Sequence, residues 1–304
     1  MPKYAVMDIG TNAIKFHIAQ KSHDGKWQMI LDKAEVTRLG EGLNRTGKIN
    51  PEAMERNISV IGEMIQTAHR IDVDQICAIG TMALRTATNA NDFINHIKIK
   101  FGISVDIISG DEEARLSFLA VNSSLDIRHG TFLIFDIGGG STEFISGNDG
   151  QIQDKISLTI GVVRLTEDIL TSDPVKQQEC DAANKIIQNT FSAIAMANPV
   201  DRLIGVGATL TTLGAMKLKM ENYDPEIIHG AELSFSDVEG LLSLLQSKTI
   251  AERKKIVGLE PRRADVILAG AMIVSNIMKK IKAAEVIISD RGVRHGFLID
   301  RFGG

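Results

Sequence analysis

Two stretches of this chain repeat one another, and that repeat constrains the fold more than any other feature. Near the start, an apolar β-rich run at residues 4–7 leads into Asp8-Ile9-Gly10-Thr11-Asn12. Later, residues 131–135 lead into Asp136-Ile137-Gly138-Gly139-Gly140-Ser141-Thr142-Glu143. Each reads as a buried strand ending in Asp-Ile-Gly, followed by a tight polar turn. Glycine has no Cβ, so backbone N–H groups in such a turn can converge on an anion. The Asp at the strand end is placed to hold a hard cation such as Mg²⁺, directly or through water. A single glycine-rich turn after a strand is most often only a turn. Two, with the same leading Asp, point to a duplicated half-domain with an anion loop in each half.

A chain of 304 residues with 44% hydrophobic content buries a sizeable core and is long enough for two domains. Aromatics contribute only 5%, so Ile, Leu, Val, Ala and Met must build that core. The net charge of −4 argues against a nucleic-acid binder, which is usually basic overall. It also means that a polyanion would have to be held by local basic clusters. Arg253-Lys254-Lys255, Arg262-Arg263, Lys279-Lys280 with Lys282, and Arg291 with Arg294 read either as such a path or as solvated helix faces. Cys77 and Cys180 lack CxxC or Cys/His spacing and read as buried free thiols in a reducing compartment. The N-terminus enters a strand with no secretory pattern, and no apolar run reaches the roughly 18 residues needed to span a bilayer. The expectation is a soluble, cytoplasmic protein with no membrane partner.

The element pattern restarts at Gly130. In the first half, strands are expected at 4–7, 13–20, 27–34, 75–80 and 104–108, with Asp24-Gly25 as the hairpin turn between the second and third. Asn50 as N-cap, Pro51 at N1 and a stripe of Met54, Ile58, Ile61, Ile65 and Ala68 predict a helix, and further helices are expected over 91–100 and from Asp111 toward Val121. The second half reads strand, loop, strand (142–146), turn and strand (152–158). A helix over 175–196, a strand at 203–206, a capping box of Ser236 and Glu239, a helix starting at Pro261, a strand at 285–289 and a Gly/Arg-rich tail complete it. Strand meanders followed by strand–helix alternation, twice over, indicate an α/β protein with two similar lobes of mixed sheet plus helices. The expected domains are 1–124 and 125–304.

Several other residues carry candidate chemistry. In Ser109-Gly110-Asp111-Glu112-Glu113-Ala114-Arg115 a helix begins on three acids, which fits either charge–dipole stabilisation or a carboxylate that orients a water. Arg85 follows a buried strand and reads either as a surface arginine or as a bidentate grip on phosphate oxygens. Glu143 enters a strand directly after the glycine loop, an odd place for a charge unless it meets a metal or water. Gly205-Val206-Gly207-Ala208-Thr209 reads equally as a plain strand–helix turn or as a third phosphate or nucleotide contact through Gly207 and Thr209.

Taken together and in order, these motifs resemble the exopolyphosphatase/guanosine pentaphosphate phosphohydrolase (Ppx/GppA) family of the actin-like ATPase superfamily. Gly292-Val293-Arg294-His295-Gly296 extends the likeness to the C-terminus. The resemblance implies an actin-like, ribonuclease H-like fold with the active site in the interlobe cleft. It implies Glu113 as catalytic base, with Glu143 as its partner positioning water or metal. Asp8, Asp136 and Glu143 become ligands of Mg²⁺ or Mn²⁺. Thr11, Asn12, Arg85, Gly138, Gly139, Gly140, Ser141, Thr142, Gly207 and Thr209 become phosphate contacts. Ala13 departs from the family pattern by lacking a hydroxyl, and His295 stands where the family usually has Glu. The length resembles the short, two-domain form, and a homodimer is expected. The implied activity is metal-dependent hydrolysis of the terminal phosphoanhydride of inorganic polyphosphate, with guanosine pentaphosphate as a further substrate. An ATP-dependent small-molecule kinase of the same superfamily is the alternative. The Glu-Glu pair at a helix start and Glu143 after the loop favour hydrolysis.

Overall fold

The computed structural model describes residues 1–23, 25–192, 194 and 200–303. Asp24 of the expected hairpin turn, and residues 193, 195 and 196 at the end of the expected helix, lie outside the described residues. The chain divides into two compact units, Met1–Leu119 with Val293–Gly304, and Ala120–Gly292.

Unit 1 opens with a meander of β1 (Lys3–Ile9), β2 (Ala13–Lys21) and β3 (Trp27–Val36). Two short helices, α1 (Leu43–Thr46) and α3 (Met82–Thr86), accompany the longer α2 (Pro51–Arg70), α4 (Ala90–Phe101) and α5 (Gly110–Asn122). With β4 (Gln75–Gly80) and β5 (Val105–Ile107) the strands form a sheet of order β3-β2-β1-β4-β5. The meander is antiparallel, and β4 and β5 run parallel to β1. α2 begins as its sequence dictates. The Asn50 side chain accepts from Ala53 N at 2.6 Å, Pro51 fills N1, and Ile58, Ile61, Ile65 and Ala68 are buried.

Unit 2 repeats this plan. β6 (Thr131–Ile137), β7 (Thr142–Asn148) and β8 (Gln151–Leu158) form the meander, and β9 (Arg202–Val206) and β11 (Glu285–Ser289) follow in parallel. The short β10 (Glu232–Ser234) pairs antiparallel to β11 and extends the sheet to β10-β11-β9-β6-β7-β8. Around it lie α6 (Val162–Asp168), α7 (Gln177–Phe191), α8 (Ala208–Lys217), α9 (Pro225–Ile228), α10 (Phe235–Gln246), α11 (Ile250–Arg253) and the deeply buried α12 (Ile267–Ile281). Each unit has its own apolar core, and the expected pair of mixed-sheet lobes is present. Among the described residues no helix is long and apolar enough to cross a membrane. Cys180 is buried as expected, whereas Cys77 is only half-buried.

Three local expectations are corrected. The capping box is Ser234 with Asp237, two residues earlier than expected, and Ser236 lies inside α10. Pro261 starts only a 3₁₀ turn, Pro261–Arg263, and α12 begins at Ile267. The Gly/Arg-rich tail is a helix, α13 (Val293–Phe302).

That last helix also changes the domain division. Instead of 1–124 and 125–304, the first unit ends at Leu119 and regains the chain from Val293 onward. The reason is packing within unit 1. Leu298 is buried with Val6 of β1 and Ala19 of β2, and Val293 is buried with Ile79 of β4 and Leu116 of α5. Arg294 adds a bidentate ion pair to Asp32 of β3, both bonds 2.8 Å. Burial alone would raise the Asp32 carboxyl, but the Arg294 charge and the contacts from His17 and His295 outweigh it and hold it well below the usual carboxylate range. Burial in turn holds the His295 imidazole well below its ordinary value.

Candidate active site

The two Asp-Ile-Gly loops are the same turn built twice. Gly10 N donates to Ala13 O at 3.1 Å, and Gly138 N donates to Ser141 O at 2.9 Å. The strands then pair in matching register, Ile9 with Ile14 and Ile137 with Thr142. One step further the halves diverge. Asp8 faces Lys15, and Asp136 faces Glu143.

This difference separates the electrostatics of the two loops. Asp8 Oδ2 lies 3.5 Å from Lys15 Nζ, so unit 1 answers its strand-end acid with a cation. In unit 2 the facing residue is another acid, with Asp136 6% exposed and Glu143 3% exposed. Like charges directly across a ladder are destabilising, and burying them raises the cost. Glu143 Oε1 accepts from Ser157 Oγ at 2.7 Å, its cross-strand neighbour on β8. Two buried carboxylates side by side fit a hard divalent cation. Asp8 also fits one, since its Oδ1 is buried and has no hydrogen-bond partner.

The glycine loop of unit 2 is held by its carbonyls. Val162 N donates to Gly138 O at 3.1 Å and Val163 N to Gly139 O at 2.8 Å, which ties the loop to the start of α6. Among the described residues the N–H groups of Gly139 and Gly140 have no protein acceptor, leaving two donors for an anion. Thr142 is fully buried and its hydroxyl donates to Ile160 O at 2.7 Å, so its side chain serves the loop's own structure. Thr209 is likewise buried, packed against Gly270 of α12.

Two glycines leave no room for a side chain. A Cβ on Gly161 would sit 2.4 Å from Gly139 O and 2.5 Å from Gly140 N. Gly207 has φ +94° and a Cβ there would lie 2.7 Å from Asp136 Oδ1. Gly207→Ala should therefore cost about 1–3 kcal/mol, read as a lowered melting temperature, together with reduced turnover as Asp136 is displaced. An unchanged melting curve and rate would contradict this placement of Gly207.

In unit 1 the first loop is clasped from below. Asn12 O accepts from Thr37 N and Arg38 N, and Thr11 O accepts from Gly40 N. The Asn12 side-chain carbonyl is buried without a hydrogen-bond partner. At the start of α5 the two adjacent acids part company. Glu112 is held by Arg115 in a fork of 2.9 and 2.8 Å and is 37% exposed. Glu113 is 6% exposed and accepts from Arg85 Nη1, which also donates to Ile108 O at 2.6 Å. The expected base and the expected phosphate-binding arginine are thus partners.

Sequence reasoning overlooked Lys15, Ser157 and Gly161. The first was readable by counting back from its turn, since a Gly10–Ala13 turn forces Asp8 opposite Lys15. The second was not, because a register shift between β7 and β8 moves Ser157 opposite Glu143. Gly161 carried no motif. Among the basic groups considered for a polyanion path, Arg253 proves internal, 1% exposed and donating to Leu245 O at 2.8 Å. Arg294 is spent on Asp32.

The family model described as Ppx/GppA phosphatase matches residues 18–303. The chain belongs to the Ppx/GppA phosphatase family. A bifunctional 3-dehydroquinate synthase/phosphatase of Fusobacterium nucleatum is 33% identical over 97% of this chain, which spans only 46% of that protein's length. Exopolyphosphatase 2 of Mycobacterium tuberculosis is 27% identical over 100% of the chain and 99% of its own length. Among solved structures, an exopolyphosphatase from Cytophaga hutchinsonii superposes with a TM-score of 0.92 at 28% identity, covering 98% of this chain and 97% of that one. The Ppx/GppA likeness therefore extends through both units and includes α13.

Proposed function

We propose that the chain hydrolyses the terminal phosphoanhydride of inorganic polyphosphate, with guanosine pentaphosphate as a further substrate. The observation that carries this reading is the buried Asp136–Glu143 pair beside a loop with two spare N–H donors. Membership of the Ppx/GppA family and near-full-length likeness to an exopolyphosphatase support it.

Each role follows from what the reaction needs. The transition state spreads charge over the transferred phosphoryl oxygens. Gly139 and Gly140 N–H groups bind those oxygens, and the Arg85 guanidinium neutralises them. Glu113 orients the attacking water and takes its proton. Arg85, bonded to Glu113, fixes the direction of that carboxylate. In unit 2 Asp136 and Glu143, and in unit 1 Asp8, are the residues that would each be able to hold Mg²⁺ or Mn²⁺, whose contribution when bound is to neutralise the phosphate leaving group.

A long polyanion on a protein of net charge −4 needs local counter-charge. Arg262, Arg263 and Lys280 remain candidates, together with Lys279, which is tied to Glu239 at 3.0 Å. Charge reversal of Arg262/Arg263 or Lys279/Lys280 is expected to raise KM several-fold for long polyphosphate and to flatten its salt dependence. Short substrates should change little. A phosphate-release assay across chain lengths checks this. Length-independent effects would replace the long-chain reading with a short substrate such as guanosine pentaphosphate. Terminal attack also predicts a product ladder shortened one phosphate at a time, and random internal cleavage would overturn it.

A further inference from the structure

Unit 1 carries a second cluster of ligating side chains, none of them assigned to the reaction. His17 of β2 pairs directly across the ladder with Asp32 of β3. His17 Nδ1 lies 3.5 Å from Asp32 Oδ2, and His295 Nε2, in the first turn of α13, lies 3.0 Å from the same oxygen. The three candidate ligand atoms all fall within 4.8 Å of one another. His17 is 4% exposed and its Nδ1 has no hydrogen-bond partner. We propose that His17, Asp32 and His295 form a binding site for a borderline transition-metal ion, Zn²⁺ foremost.

The geometry carries the proposal. Zinc bonds to imidazole nitrogen and carboxylate oxygen are about 2.0–2.2 Å, so the edges of a tetrahedral site run to about 3.3 Å. The two nitrogen–oxygen edges, 3.0 and 3.5 Å, bracket that value. Rotation of the two imidazoles, whose ring centroids are 4.4 Å apart, sets the remaining edge. Two imidazoles and one carboxylate select Zn²⁺, Co²⁺ or Ni²⁺ over Mg²⁺.

A purely structural clamp is the competing account. The Asp32–Arg294 pair and the contact from His295 do fasten α13 to the hairpin, but they leave His17 Nδ1 buried at 3.5 Å from Asp32 Oδ2 without a formed hydrogen bond. An orphaned buried polar atom is destabilising, and a bound metal removes that cost. Arg294 takes one lone pair on each Asp32 oxygen and orients the carboxylate, leaving a second lone pair on Oδ2. Its positive charge lowers the affinity without closing the site. The side chains of Asp32 and His295 are 10% and 12% exposed, which gives an ion a way in.

The inference is independent of the phosphatase reading, and its test does not use activity. The full chain, stripped with chelator and held in excess Mg²⁺ to occupy hard-oxygen sites, is titrated with Co²⁺ and then Zn²⁺. Expected are visible Co²⁺ bands of tetrahedral coordination saturating at one equivalent, displacement by Zn²⁺, and a higher melting temperature with Zn²⁺. His17→Gln and His295→Gln should each weaken Zn²⁺ binding by at least about 100-fold. Absence of the tetrahedral bands in the unaltered chain overturns the site, whether or not the variants fold. So does equal Zn²⁺ affinity in the unaltered chain and folded His17→Gln.

Discussion

Glu113→Gln is expected to reduce the turnover of polyphosphate by about 10²–10⁴-fold, the range lost when a general base is removed. KM should stay within a few-fold, because the amide keeps the shape of the side chain and still accepts from Arg85. Glu112→Gln, by contrast, should leave turnover within about threefold, as befits an exposed surface pair. The distinction rests on where the two neighbours point. Glu112 is tied by both oxygens to Arg115, three residues along the same helix, and is substantially exposed. Glu113 is buried and bonded to a cation drawn from α3. Steady-state phosphate release by the two variants checks this. Equal losses from both, or a mild loss from Glu113→Gln, would move the base elsewhere.

Asp136→Ala is expected to abolish most activity by a different route, lowering turnover by roughly 100-fold or more together with its response to divalent metal. Asp136 and Glu143 face each other across β6 and β7, and like charges directly across a ladder are destabilising, so a cation bound there would relieve that cost. In the unaltered chain, Mg²⁺ or Mn²⁺ should therefore raise the melting temperature, and Asp136→Ala and Glu143→Gln should each shrink that rise. Thermal melts with and without chelator separate this from the loss of the base, since Glu113→Gln should retain the full metal-dependent shift. Loss of activity in Asp136→Ala with an undiminished shift would remove Asp136 from the metal site.

Much of this site was legible because it was written twice. Asp-Ile-Gly after an apolar run marks a strand end by residue type alone, and its recurrence showed that the sheet plan recurs. What escaped were relations set by tertiary packing. Nothing in local sequence brings Arg85 to Glu113, since the bond joins α3 to α5. Arg253 looked like part of a solvated basic face and is instead a buried side chain bonded to carbonyls. The end of the chain was misread for a related reason. Gly292 and Gly296 lower helix propensity, yet Val293, Phe297 and Leu298 give α13 a packed face that outweighs it. The capping box slipped because Ser234 and Ser236 both precede an acid by three residues, and only pairing of β10 with β11 selects the first.

The central claim, terminal phosphoanhydride hydrolysis, is tested most directly by measuring phosphate release from long-chain polyphosphate, guanosine pentaphosphate and ATP side by side, each with Mg²⁺ and with excess chelator. The account predicts release from polyphosphate or guanosine pentaphosphate, faster than from ATP, and its loss in chelator. Release undiminished by chelator, or consumption of ATP alone and only when an acceptor alcohol is present, would contradict it.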